Sequence, residues 1–100
     1  AARAKESIGQ ADVERLEGWI DRLEAELAPL RRFILPGGHP AAAAAQLARA
    51  VCRRAERRMV AVGAEAVGAV ALAYVNRLSD LLFTLARAVN VRAGVREQEW

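Results

Sequence analysis

Arg49, Arg53 and Arg57 recur every four residues, so on a helix their three guanidiniums project from one side. Arg54 and Arg58 lie in the same short segment on a different side. Like charges spaced i, i+4 oppose helix formation by a few tenths of a kcal/mol per pair. The one carboxylate among them, Glu56, cannot neutralise three cations. An anion is therefore expected: acidic side chains of a partner, or a phosphate-bearing ligand. Arginine suits phosphate because its planar fork makes bidentate, charge-assisted hydrogen bonds. The ordinary alternative is a solvated basic face. A second constellation lies further along. Asn76 and Asp80 are one helical turn apart, and Phe83 shares their face. A large apolar ring among polar groups points to a cleft or a subunit contact, against the ordinary alternative of an exposed Phe.

Three helices must carry these groups. The first is expected from about Ala11 to about Ala28, with Val13, Leu16, Ile20, Leu23 and Leu27 as one buried stripe and Pro29 beyond its end. Phe33-Ile34-Leu35-Pro36-Gly37-Gly38-His39-Pro40 then reads as a loop, and its apolar start implies packing against something. Pro40 suits the first turn of the second helix, expected from Pro40 to about Val62, with Gly63 ending or bending it. Its apolar stripe is Ala44, Ala48, Val51, Ala55, Met59 and Val62. The third helix is expected from about Val67 to about Val91, with Gly94 as a stop. Tyr74, Val75, Leu78, Leu81, Leu82, Leu85 and Val89 form its wide apolar face, and Asn76, Asp80, Phe83 and Arg87 a narrow opposite one.

Composition agrees with an all-α chain. Of its 100 residues, 54% are hydrophobic and only 5% aromatic, with much alanine, which favours close-packed helices over sheets. The net charge of +3 is too mild for a general nucleic-acid binder, and no groove-reading motif is present. With Cys52 alone, no internal disulfide can form, which fits a reducing compartment. Cys52 itself reads as a small core residue. The apolar stretch Met59 to Val75 contains Glu65 and two glycines and is too short for a membrane span.

Three motifs go beyond these generic features. F-I-L-P-G-G at 33–38, A-R-A-V-C-R-R-A-E-R-R at 48–58 and N-R-L-S-D-L-L-F at 76–83 resemble, in order and spacing, the PduO-type ATP:cob(I)alamin adenosyltransferases. The resemblance extends from about Asp12 to Asn90. It implies a five-helix bundle, about three helices of which are present here as a single domain over residues 1–100, assembled as a homotrimer with active sites between subunits. It implies transfer of the 5′-deoxyadenosyl group of ATP to cob(I)alamin, with Mg²⁺ accompanying the nucleotide and triphosphate leaving. Arg53, Arg54, Glu56 and Arg57 would contact ATP, as would Asn76. Arg49 would join a salt bridge across the subunit interface. Phe33 would lie beneath the corrin on the lower axial side of cobalt, and Phe83 and Asp80 would line the corrinoid pocket. Arg53 and Phe33 would carry the catalysis: Arg53, with Arg57, stabilises the charge on the departing triphosphate, and Phe33 denies cobalt its lower ligand, which eases reduction to Co(I).

The sequence also departs from that family. A T-x-x-G-D-x-G-x-T phosphate-binding loop and the helices that precede the first one here are not in this sequence. Either the sequence is an inactive fragment with part of its bundle core exposed, or these parts belong to a complete enzyme; the second is expected, because amphipathic faces this wide need partners to cover them. His39 stands where Ser or Thr is common and reads as a helix-start or solvent-facing residue. Ala88 stands where many relatives carry Tyr. The expected setting is cytoplasmic, without membrane or nucleic acid, and with a flavin reductase or a B12-dependent enzyme as a further partner. The rival reading is a non-catalytic helical oligomerisation module whose arginine face pairs with acidic residues of another subunit.

Overall fold

Asp12 fastens the start of the first helix. Its carboxylate accepts the Gly9 backbone N–H at 2.9 Å in the computed structural model, which describes residues 8–28 and 38–95. This helix, α1 (Gln10–Glu24), buries Val13, Leu16 and Ile20 as the periodicity requires. It stops before Ala28. Glu26 and Leu27 turn their N–H groups to Leu23 and Glu24, tightening the chain into i→i+3 bonds.

The second helix, α2 (Pro40–Val62), starts on His39, whose Nδ1 accepts the Ala41 N–H at 3.0 Å. That supplies one of the bonds a helix N-terminus lacks, so His39 is a helix-start residue as expected. Pro40 occupies the first turn, where a missing donor costs nothing. A one-turn helix, α3 (Ala64–Val67), lies between Gly63 and Gly68. It pushes the start of the last helix, α4 (Ala69–Arg92), two residues past the expected Val67. α4 ends in a Schellman turn: Val95 N–H donates to Asn90 O and Gly94 N–H to Val91 O. Gly94 makes the reversal at φ +72°, where a Cβ is disfavoured.

Among the described residues all regular structure is helical, and α4 is the central element. It packs along α2 on one side and α1 on the other, and α1 and α2 do not touch. Pairs across the α2–α4 seam run in opposite order: Arg49 meets Phe83, and Glu56 meets Asn76. The two helices are therefore antiparallel. Ala42, Ala45 and Ala86 close one end of the seam, with Val89 against them. Such small side chains let the helices approach closely.

The helix limits match the expectations better than the helix faces do. The expected α2 stripe is turned outward: Ala44, Ala48, Val51, Ala55 and Val62 are exposed and Met59 only half-buried. The buried face is Ala42, Ala45 and Cys52, flanked by half-buried Arg49 and Glu56. On α4 the buried residues are Ser79, Thr84, Ala86, Arg87, Ala88 and Asn90, while the leucine-rich face is half-buried or exposed. The α2–α4 seam is made largely of small and polar residues, with Glu56–Asn76 and Cys52–Val75 O hydrogen bonds across it, so burial on these two helices does not follow hydropathy. α4 is long and apolar enough to cross a membrane by length and composition alone. Its Asn76, Arg77, Asp80 and Arg87 are instead engaged in hydrogen bonds within the bundle.

Candidate functional site

The middle of the α2–α4 seam brings together five of the residues singled out above. The Arg49 Cζ lies 4.8 Å from the centroid of the Phe83 ring, a cation–π contact. This accounts for the ring's place on a polar face: half-buried Phe83 lies under the Arg49 guanidinium of the neighbouring helix. Two turns further along α2, Glu56 Oε2 accepts the Asn76 Nδ2–H at 2.9 Å. Arg77 then organises its own helix. Its Nη2 donates to Asn76 Oδ1 at 2.8 Å and also to Asp80 Oδ2. A chain Glu56–Asn76–Arg77–Asp80 results. Arg77 was not among the expected site residues, although the i, i+3 spacing of Arg77 and Asp80 is a readable signal for the pair.

Arg49 is held in an unusual way. Its Nε is buried and has no hydrogen-bond partner among the described residues. Burial, followed by the neighbouring Arg53 cation, pushes it below the usual arginine range, while Asp80 pulls the other way. The guanidinium still has a demand for negative charge that the ring face meets only in part. Beneath it, Cys52 is buried and its Sγ–H points to Val75 O at 3.3 Å. Burial, with the Glu56 carboxylate adding to it, pushes the thiol up, and Cys52 is a small buried group as expected.

Arg53, Arg54 and Arg57 are exposed, and no ion pair among the described residues engages them. Arg53 and Arg57 follow Arg49 along α2 at successive turns, on either side of Glu56. Chemically, this is a hydrogen-bonded carboxylate–amide–guanidinium network bordered by exposed cations, suited to a polar, polyanionic molecule lying along α2. No group of three or more His, Cys, Asp or Glu able to hold a metal ion occurs among the described residues. Phe33 lies outside the described residues.

The far end of α4 holds a second buried polar group that the sequence reading missed. Asn90 Oδ1 accepts the His39 N–H at 2.8 Å, and Arg87 Nη2 donates to Ala28 O at 3.0 Å. Arg92 makes a two-pronged pair with Glu26, its Nε 2.8 Å from Oε1. Arg92 holds the Glu26 carboxyl below its usual range by hydrogen bonding, with its charge as a smaller contribution.

Comparison with known proteins agrees with these features. A family model described as cobalamin adenosyltransferase matches residues 1–89. A cobalamin adenosyltransferase of Cupriavidus metallidurans is 48% identical over 89 residues, covering 88% of this chain and 48% of that protein. A corrinoid adenosyltransferase of Mycobacterium bovis is 50% identical over 86 residues, covering 83% and 45%. Among solved structures, a variant PduO-type ATP:corrinoid adenosyltransferase from Lactobacillus reuteri, complexed with cobalamin and ATP, superposes with a TM-score of 0.83 at 34% identity. That match covers 94% of this chain and 52% of the other. The chain thus spans about half the length of the curated relatives it matches. By the extent of the family match and the fold it shares with that solved structure, the chain belongs to the cobalamin adenosyltransferase family.

Proposed function

We propose that the chain works in an enzyme that transfers the 5′-deoxyadenosyl group of ATP to cob(I)alamin, yielding adenosylcobalamin and triphosphate. The observation that carries this reading is the row of exposed arginines, Arg53 and Arg57, beside the fixed Glu56–Asn76 pair. It is supported by the family membership and by the ligands of the Lactobacillus reuteri relative.

In this reading the cobalt electron pair forms a bond to C5′ as the C5′–O bond breaks, and triphosphate leaves with that bonding pair. Arg53 and Arg57 stabilise the growing negative charge, with Arg54 at the edge. Glu56 and Asn76 hold the nucleoside, their side chains already locked to each other and therefore costing little to order. Mg²⁺ would accompany the nucleotide and share in neutralising the phosphate charge. Phe83 and Asp80 face the corrinoid. Phe33 denies cobalt its lower ligand.

Assembly completes the site. Leu47, Val51, Val60 and Val62 expose 52–69% of their surface on α2, an apolar stretch that a homotrimer and further helices of the bundle would cover. Arg49, which makes no ion pair among the described residues, pairs across the subunit interface. The enzyme works in the cytoplasm, off the membrane and without nucleic acid, and receives its electron from a reductase.

The test is anaerobic mixing of the protein with cob(I)alamin, ATP and Mg²⁺. A light-sensitive organocobalt product formed with intact triphosphate is expected. Absence of that product, or release of pyrophosphate and phosphate at the moment of bond formation, contradicts the assignment.

A further inference from the structure

We propose that Arg77 is a positioning residue for the nucleoside: it holds the Asn76 carboxamide in one of its two orientations, with the NH2 end toward Glu56. The inference rests on the function proposed above, in which Glu56 and Asn76 hold the nucleoside of ATP. A carboxamide is nearly symmetric in shape, yet one end accepts and the other donates. A half turn about its last bond exchanges them. Asn76 is exposed, so packing does not decide between the two. Its neighbours do. The Glu56 carboxylate only accepts, and its Oε2 takes the Asn76 Nδ2–H at 2.9 Å. Arg77 only donates, and it meets Asn76 Oδ1 with Nη2 at 2.8 Å and with Nε at 3.3 Å. The opposite orientation would set oxygen against oxygen on one side and N–H against N–H on the other.

Arg77 is itself held. Asp80, one turn further along α4, accepts from the same Nη2. The Arg77 and Asp80 side chains are 33% and 48% exposed, and ion pairs this open contribute little to stability. Stability therefore does not account for the network. What the network supplies is direction. One Asn76 Nδ2–H goes to Glu56, and the other has no partner among the described residues. That hydrogen is left for an acceptor on a ligand, and fixing the amide before the ligand arrives removes an ordering cost from binding. Arg77 also differs from the cations of α2. Its donors are engaged by Asn76 and Asp80, whereas no ion pair among the described residues engages exposed Arg53 and Arg57. Arg77 thus acts on the nucleoside through Asn76, and the phosphates fall to Arg53 and Arg57.

The experiment measures, with Mg²⁺ and without corrinoid, the Kd for ATP and the Kd for inorganic triphosphate. It compares the wild-type protein with Arg77→Met, Asn76→Ala and the double variant. Arg77→Met keeps an unbranched stem and loses the donors. It is expected to raise the Kd for ATP about fivefold to tenfold, the worth of about one hydrogen bond. The Kd for triphosphate should stay within about twofold of wild type, because that ligand has no nucleoside. In the Asn76→Ala background, Arg77→Met should change the Kd for ATP by less than about twofold, since the group it acts through is gone. Arg77→Ala is expected to repeat the pattern, so the inference does not depend on one variant folding. An unchanged Kd for ATP in both Arg77 variants overturns it. So do effects that multiply in full in the double variant, and so does a loss of triphosphate affinity that parallels the loss for ATP, as a direct phosphate contact would give. Turnover with cob(I)alamin is read separately. A wild-type protein that binds ATP through this pair yet forms no organocobalt product contradicts the proposed function and leaves the Arg77 result standing, which separates the two failures.

Discussion

Replacing Phe83 by leucine takes away the ring face beneath the Arg49 guanidinium, whose Cζ lies 4.8 Å from the ring centroid. The size of the effect follows from the surroundings. Such contacts are worth about 0.5–1 kcal/mol at exposed sites and about 2 kcal/mol when desolvated. Arg49 lies between these limits: half-buried as a residue, yet with its Nε shut off from water and unbonded. A coupling of about 1 kcal/mol between the two side chains is expected. Arg49→Met supplies the second arm of a double-mutant cycle. By itself it should be close to neutral, because it removes the desolvation cost of a buried cation along with the attraction. The cycle is measured by urea unfolding of the protein and its three variants, with equal slopes as the check that each unfolds alike. A coupling energy within about 0.3 kcal/mol of zero, near the limit of additivity, refutes the idea that the ring holds the guanidinium.

Other consequences can be checked more briefly. Cys52 in the native protein should react with iodoacetamide at least about tenfold more slowly than a free thiol at the same pH, and mild denaturant should erase the difference. Burial raises the Cys52 thiol above its ordinary value of 9.0, so its contribution to stability is complete below that pH and is lost as pH rises above it. Cys52→Ala should flatten the alkaline fall in the urea midpoint. Glu26 is shifted the other way: its contribution is present above the ordinary value of 4.5 and is lost as pH falls through the lowered one, so Glu26→Gln should weaken the acid dependence of unfolding. Gly94→Ala should destabilise by about 1 kcal/mol through backbone conformation alone, since a Cβ there meets nothing within 4 Å.

The helices themselves were legible because their punctuation is local. Pro40 and Gly63 bound α2 where the sequence places them, and Gly94 follows α4 as a stop signal should. Which side of each helix is buried is a matter of tertiary structure. α2 offers two adjoining strips of apolar or small residues, and the choice between its Ala44–Ala48–Val51 side and its Ala45–Cys52 side is made by what α4 offers. α4 offers Asn76 to Glu56 and Phe83 to Arg49, so two charged residues end up lining a seam that hydropathy would give to valine and methionine. The grouping of Arg49, Glu56, Asn76, Asp80 and Phe83 came from the motifs, which carry spacing information that periodicity does not. Asn90 had no such signal: its carboxamide acquires meaning only once the chain returns beside it at Gly38, fifty-two residues earlier.

The central claim is that the α2 arginines bear the charge of a departing triphosphate. Steady-state turnover of ATP with cob(I)alamin in Arg53→Ala and Arg57→Ala tests it most directly. The expected result is a fall in kcat/KM for ATP of about a hundredfold or more in at least Arg53→Ala, with an unchanged thermal midpoint, as befits exposed side chains. Turnover within twofold of wild type in both variants would contradict the account.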